Sequence, residues 1–323
     1  MSIALIGRRH RSDYGRCRDL LGEPDRWAGG YRIEAVPFCL YGAKEGVVSL
    51  VPPIYPEKTP GPFSGAYNHS AVVRIDLNAD VGESVGAMST GARLMKSITS
   101  ANIAAGCHGG DPSLLRQTIQ FAKAHGVAVG AHPGFPDPDG FGRRDLHVTP
   151  QEAEDFILYQ VAAVAGVAAA EGVRLQHVKA HGALYNMAAR DRALAGALAR
   201  AVAAFDRSLI LFALPNSEVV KAGRALGLRV AAEAFADRAY EPDGTLVSRL
   251  KTGAVIHDAD VVTARAVRLA TVGSVEAIDG SVLRIDAETL CVHSDTPGAD
   301  ALASKIRIGL EASGIIVEAV GSA

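Results

Sequence analysis

The chain has 323 residues, 48% of them apolar and 21% charged, with a formal net charge of −2. That length and apolar content exclude a generally disordered chain and supply a large buried core. Near-neutral charge leaves no electrostatic footprint for nucleic acid or an anionic membrane surface. No run approaches the roughly 18–20 unbroken apolar residues that span a bilayer, and the early charges Arg8, Arg9 and Arg11 precede no apolar leader core, so no secretory signal is expected. Cys17, Cys39, Cys107 and Cys291 are scattered, with no C-x-x-C pair or dense disulfide framework. A reducing cytoplasm is the plain expectation.

Residues 1–72 carry the single Trp and seven of the 15 prolines, five of them between Pro52 and Pro62. Apart from one candidate strand at 47–51, they show no sustained periodicity and read as an N-terminal extension without chemistry, either an added subdomain, an arm, or upstream sequence read from an early start codon. From residue 73 to the C-terminus short apolar runs alternate with longer helical stretches. Strands are expected at 72–77, 102–105, 127–131, 177–180, 209–213, 230–236 and 289–292. Asp111-Pro112 and the capping box Thr149-Pro150-Gln151-Glu152 open helices, and Gly126, Gly172 and Gly227 close them. Residues 275–279 and 282–286, joined through Gly280-Ser281, read as a hairpin before the last strand.

Seven β–α repeats build either a parallel barrel or a doubly wound sheet. The residues after each strand decide between them. Asp80 and Glu83, then His108 and Asp111, His132, His181, Asn216 and Ser217, Asp237 and Arg238, and His293 and Asp295 follow the seven strands in turn. A barrel brings all those ends to one mouth, where barrel enzymes keep their chemistry. The expected fold is therefore an irregular seven-stranded parallel β/α barrel.

Alternation puts Asp76, Asn78 and Asp80 on one face of the first strand, a costly trio inside a barrel unless it binds water, metal or substrate. His108 follows a small-residue strand end as a candidate base, acid or metal ligand, while Asp111 suits a helix N-cap. His132 opens a Gly/Pro/aromatic loop leading to Arg143 and Arg144, which suit carboxylate binding. Lys179 and His181 share a face of the fourth strand. A buried ammonium there suits an oxyanion or a phosphate, and the imidazole suits proton transfer, whereas His177 lies deeper and reads as core. Asp237, Arg238 and Tyr240 follow the sixth strand, and Arg249 is a second candidate anion clamp. Asp76, His108 and His132 form a candidate metal set assembled from separate strands, since no H-E-x-x-H is present. Neither a G-x-x-x-x-G-K-[ST] loop nor a G-x-G-x-x-G turn appears, so a nucleotide needs another cradle or a partner.

Six segments, IDLNADVGE, ANIAAGCHGGDP, GAHPGFPDPDGFGRR, HVKAHGALYN, DRAYEPDGTLVSR and CVHSDTP, stand in the order seen in one known family. Over residues 73–317 the chain resembles the LamB/YcsF family of lactam-utilisation proteins. Ala105, Cys107 and Gly109 stand where members usually read Cys, Phe and Ala, with His108 and Asp111 retained. The resemblance implies a seven-stranded barrel similar to glycoside hydrolase and polysaccharide deacetylase barrels. It also implies ATP-dependent cleavage of 5-oxo-L-proline to L-glutamate, with Mg²⁺ accompanying the ATP, in a complex with 5-oxoprolinase subunits B and C. On that reading Lys179, Arg144, Arg238 and Arg249 answer phosphate and carboxylate charge, and Asp80, Glu83 or His181 is the base for water. Asp76, Asn78, His108, His132, Tyr240 and His293 complete the expected substrate site. Two other readings are a metal-dependent deacetylase-like amidohydrolase using Asp76 or Asp80 with His108 and His132, and a regulatory subunit that binds the lactam without turnover.

Overall fold

The computed structural model describes residues 72–83, 88–249, 251–292 and 298–322. The extension up to residue 71, and His293 with Asp295, lie outside the described residues. The strands are β1 (Arg74–Val81), β2 (Ser100–Ile103), β3 (Ala128–Ala131), β4 (Leu175–Lys179), β5 (Ile210–Ala213), β6 (Arg229–Phe235), β7 (Ser274–Glu276), β8 (Val282–Arg284), β9 (Thr289–Val292) and β10 (Ile316–Val317). β1 to β6 pair in parallel in chain order, β6 pairs with β9, and β9 pairs back onto β1. All seven expected strands are present, and the ring they form is a closed parallel barrel. β7 and β8 are the expected antiparallel hairpin, inserted before the closing strand. β10 extends the sheet beside the first residues of β1, pairing Arg74 with Ile316.

β1 shows why the sequence folds this way. Ile75, Leu77, Ala79 and Val81 are buried among the apolar core residues, and Asp76, Asn78 and Asp80 take the opposite face of the strand. The barrel interior is consequently polar, and each buried polar group needs a partner to offset desolvation.

The helices are α1 (Met88–Leu94), α2 (Pro112–His125), α3 (Pro150–Ala170), α4 (Gly182–Ala188), α5 (Arg192–Phe205), α6 (Glu218–Ala225), α7 (Ala259–Val272) and α8 (Ala299–Ala312). Asp111 caps α2 by accepting from the Ser113 and Leu114 amides, and Thr149 and Glu152 form the reciprocal box on α3. α3 is long and apolar enough in composition to cross a membrane, a length the unbroken-run criterion overlooked because polar residues interrupt it. Its Ala153, Ile157, Val161, Val164 and Ala168 form one buried stripe in the core, while Tyr159 is exposed.

At the end of the barrel where the strands begin, the C-terminal tail crosses underneath. Val320 packs with Ile210, Phe212 and Ala231, and Gln176 Nε2 donates to the Val320 carbonyl at 3.0 Å.

Candidate active site

The barrel interior is built in tiers, and the lowest is structural. Asp76 Oδ1 accepts from Thr99 Oγ1 at 2.6 Å and Ser100 Oγ at 2.7 Å, and Oδ2 accepts from Thr289 Oγ1 at 2.5 Å. Burial nevertheless pushes its carboxyl up to about 6. His177 stacks on Phe212 and donates from Nε2 to Asn102 Oδ1 at 2.9 Å. Burial, aided by the Lys179 charge, holds it down at about 3, so it is a neutral core residue as its depth suggested.

Lys179 organises the middle tier. Its Nζ lies 2.8 Å from Glu233 Oε1, 3.0 Å from Asp80 Oδ1, 3.2 Å from Asn78 Oδ1 and 2.9 Å from Cys291 Sγ. Burial alone would discharge the ammonium, but Asp80, Cys291 and Glu233 raise its pKa well above the ordinary value. Asn78 Nδ2 donates to Glu233 Oε1 and Thr289 Oγ1, and its Oδ1 accepts from Asn102 Nδ2 at 2.7 Å. Asn102 Nδ2 also donates to Asp80 Oδ1 at 2.9 Å. Sequence reading passed over Glu233. Its signal was a lone carboxylate flanked on both sides by apolar residues in RVAAEAF.

The upper tier lies where the strands end. Donor atoms of Glu83, His108, His132 and His181 all fall within 4.8 Å of one another, and all four residues are buried. His132 Nδ1 donates to the Lys179 carbonyl at 2.8 Å, which fixes the tautomer and turns the Nε2 lone pair inward. His181 Nε2 donates to the Phe141 carbonyl at 2.8 Å, turning its Nδ1 lone pair inward. Those inward nitrogens stand 3.0 Å apart, and Glu83 Oε1 lies 3.1 Å from His181 Nδ1. His108 stacks on His181 with ring centroids 3.8 Å apart. Burial drives its imidazole down to about 4, and neither of its nitrogens has a hydrogen-bond partner. For His132, burial is outweighed by the Asp80 carboxylate, whose Oδ2 lies 3.5 Å from Nε2, and the net shift is upward. These four are the described residues that could hold a metal. Asp76, expected in that set, is held by hydroxyls two rungs below Asp80. Glu83 and His181 take the place it was given.

Loop residues 132–144 press against this tier. Gln160 of α3 bridges the Gly134 amide and carbonyl at 2.9 and 2.8 Å, seating Gly134 where a Cβ would meet His108 Nδ1 at 2.5 Å. Phe141 has φ of +53°, a strained value for a side chain of that size, and its carbonyl is the one that holds His181.

Above the tiers opens a cavity of about 1310 Å³, with Asp80, Glu83, His132, Lys179 and His181 on its inner surface. Arg143, Arg144, Arg190, Arg192, Arg238 and Arg249 line its walls. Two expected binding residues are otherwise employed. Tyr240 is fully buried and its hydroxyl accepts from the Phe235 amide at 2.8 Å, so it braces β6 and lies outside the cavity lining. Arg238 reaches the cavity, but its Nη2 and Nε donate to the Val247 and Ala254 carbonyls at 2.6 and 3.2 Å, and burial lowers its pKa to about 10. Arg144 pairs with Asp137, while Arg249 is exposed at the rim.

A sequence model of the LamB/YcsF family matches residues 75–323. The chain belongs to the LamB/YcsF family. This LamB/YcsF chain is 53% identical over 247 residues to the A subunit of 5-oxoprolinase from Bordetella parapertussis, spanning 76% of this chain and 98% of that protein. It is 52% identical over 253 residues to the protein of the same name from Symbiobacterium thermophilum, covering 78% and 97%. Its barrel superposes on the crystal structure of a lactam utilization protein from Thermus thermophilus with a TM-score of 0.71 and 46% identity, covering 76% of this chain and 99% of that one.

Proposed function

We propose that this chain is the A subunit of an ATP-dependent 5-oxoprolinase, acting in the cytoplasm with B and C subunits to cleave 5-oxo-L-proline to L-glutamate. The observation that carries the reading is the juxtaposition of six arginines on the cavity walls with carboxylates and imidazoles on its inner surface. A lactam bearing a carboxylate and a nucleotide triphosphate both demand cationic walls, and opening the ring demands a group that takes a proton from water. The names of the relatives point the same way.

A lactam amide is a poor electrophile. Transfer of the γ-phosphoryl group from ATP to the lactam oxygen makes the ring carbon attackable and leaves ADP. Water then adds at that carbon, the C–N bond breaks and the nitrogen gains a proton, which leaves an acyl phosphate, and a second water cleaves it to the free carboxylate and inorganic phosphate. Catalysis of such a sequence rests on positioning and charge stabilisation. Arg190, Arg192 and Arg249 on the walls suit the phosphates and the substrate carboxylate, and Mg²⁺ would travel with ATP. Asp80, Glu83 and His181 surround the place where water would be deprotonated. Lys179 touches four acceptors already, so it acts by holding Asp80 and Glu233 in place.

The test is glutamate release from 5-oxo-L-proline, with and without ATP and Mg²⁺, by this chain alone and mixed with B and C subunits. Release is expected in the mixture and only with ATP. Assembled subunits that release none overturn the assignment for this substrate, and release without ATP favours the metal-dependent amidohydrolase reading.

A further inference from the structure

The geometry points to a binding site for one first-row divalent cation of the zinc class, held by Glu83, His108, His132 and His181. Four observations carry it. First, the tautomers are set from outside: carbonyls of Lys179 and Phe141 each take an N–H, so His132 Nε2 and His181 Nδ1 face each other as lone pairs 3.0 Å apart. Two lone pairs do not attract, so either a proton or a metal ion belongs between them. Outer carbonyls that fix the imidazole in this way are what metal-ligating histidines ordinarily have.

Second, the spacing approaches what an ion needs: all four donors lie within 4.8 Å of one another, and His108, stacked flat on His181, turns out of that stack to share an ion with it. Donors bonded at about 2.0–2.1 Å to a tetrahedral cation lie about 3.3–3.4 Å from each other. Here Glu83 Oε1 lies 3.1 Å from His181 Nδ1, 3.6 Å from His108 Nε2 and 3.8 Å from His132 Nε2.

Third, a shared proton would not satisfy the group. It would bridge one pair, His181 Nδ1 with His132 or with Glu83, and leave His108, which is fully buried and makes no hydrogen bond, with Glu83 Oε1 3.6 Å from its Nε2. Buried polar atoms left unsatisfied in a native site call for a partner such as a bound ion.

Fourth, the surrounding backbone is shaped to this cluster: a Cβ on Gly134 would meet His108 Nδ1 at 2.5 Å, and one on Gly142 would meet His108 Cβ at 2.7 Å and His181 Cδ2 at 2.9 Å. Three imidazoles and one carboxylate suit Zn²⁺ and its neighbours, whereas Mg²⁺ prefers an oxygen shell, so this site is separate from the cation that accompanies ATP. The site stands on these donors and needs neither ATP nor lactam. Joined to the oxoprolinase reading, it makes Glu83 and His181 ligands and leaves Asp80 as the base.

The experiment uses the full-length chain, stripped with chelator and dialysed, then titrated with Zn²⁺ by calorimetry and with Co²⁺ by visible absorption. One equivalent per chain is expected, with a raised melting temperature and the intense visible bands of a low-coordinate nitrogen-rich cobalt site. Glu83→Gln, close in shape, and His181→Asn are each expected to lose at least the roughly 10–100-fold in affinity that removing even an outer-shell partner costs. His147→Ala, at an exposed imidazole, is expected to keep the full equivalent. Far-UV spectra in chelator check that the variants fold, and the wild-type stoichiometry decides even where a variant does not. Wild-type protein that takes up only a small fraction of an equivalent overturns the proposal. So does binding that survives Glu83→Gln and His181→Asn unchanged. Because the readout involves this chain alone, it is independent of whether the assembled enzyme opens 5-oxo-L-proline.

Discussion

Lys179 has three N–H bonds and four acceptors within 3.2 Å, and two of those acceptors are carboxylates buried with it. Removing one partner of such a group leaves uncompensated charge in the interior, which costs about 3–5 kcal/mol. Lys179→Met is therefore expected to lower the unfolding free energy by that much, seen as a lower urea midpoint at an unchanged slope, and adding Glu233→Gln should recover part of it. A loss below about 1 kcal/mol would mean that water reaches Asp80 and Glu233 freely. Asp76 behaves oppositely. Its carboxyl stays protonated in the folded chain up to about pH 6 but ionises near 3.8 when unfolded. The folded state thus holds the extra proton between those values, and stability falls as pH rises through them. Asp76→Asn removes that titration. The unfolding free energy of the parent relative to the variant is expected to decline by up to about 3 kcal/mol across this window, and then level off. A constant difference across the window would show that Asp76 titrates normally. The sequence showed that Asp76, Asn78 and Asp80 share a face. It held no measure of height along the barrel axis, which is why Asp76 was grouped with His108 and His132 although hydroxyls from β2 and β9 hold it lower down.

Among the elements, the loop joining β3 to α3 does more than connect. Gly126 and Gly142 have nearly the same backbone, φ of +67° and +62°, so an alanine at either incurs the left-handed penalty of about 1–2 kcal/mol. Around Gly126 there is open space, whereas at Gly142 the new methyl would press on His108 and His181. Gly126→Ala is expected to cost stability alone. Gly142→Ala is expected to cost about 1–3 kcal/mol more and to displace His181, which on the proposed oxoprolinase reading lowers glutamate release by the assembled enzyme. Equal melting shifts with equal activity would show that the loop moves aside at no cost. The caps at Asp111 and Thr149 were legible because capping is chemistry between residues two or three apart. The packing of Gly134 and Gly142 on His108 was not, because those contacts cross from one βα loop to another, and only closure of the ring brings them together.

Over the whole molecule, charge is divided by depth. The interior tiers balance carboxylates against one lysine, and six arginines stand on the cavity walls above them. Charge-assisted contacts contribute about 1.5–3 kcal/mol each, so on the proposed oxoprolinase reading Arg192→Ala and Arg249→Ala are each expected to raise KM for ATP or for the lactam about tenfold or more, leaving kcat nearly unchanged. Higher salt should narrow the gap between parent and variant, which initial rates at two ionic strengths would show. Unchanged KM values would move anion binding elsewhere. The barrel itself was legible from polar residues at seven strand ends, since only closure gives them a common purpose. Glu233 escaped because a mid-strand carboxylate has meaning only beside the lysine that faces it across the barrel. The C-terminal tail has a consequence for traffic. Among the described residues, Val320 packs against the end where the strands begin, and the cavity opens at the opposite end. On the proposed oxoprolinase reading, glutamate leaves by the mouth through which the lactam entered, so a companion subunit seated there would have to stand aside between turnovers or leave a gap wide enough for an amino acid.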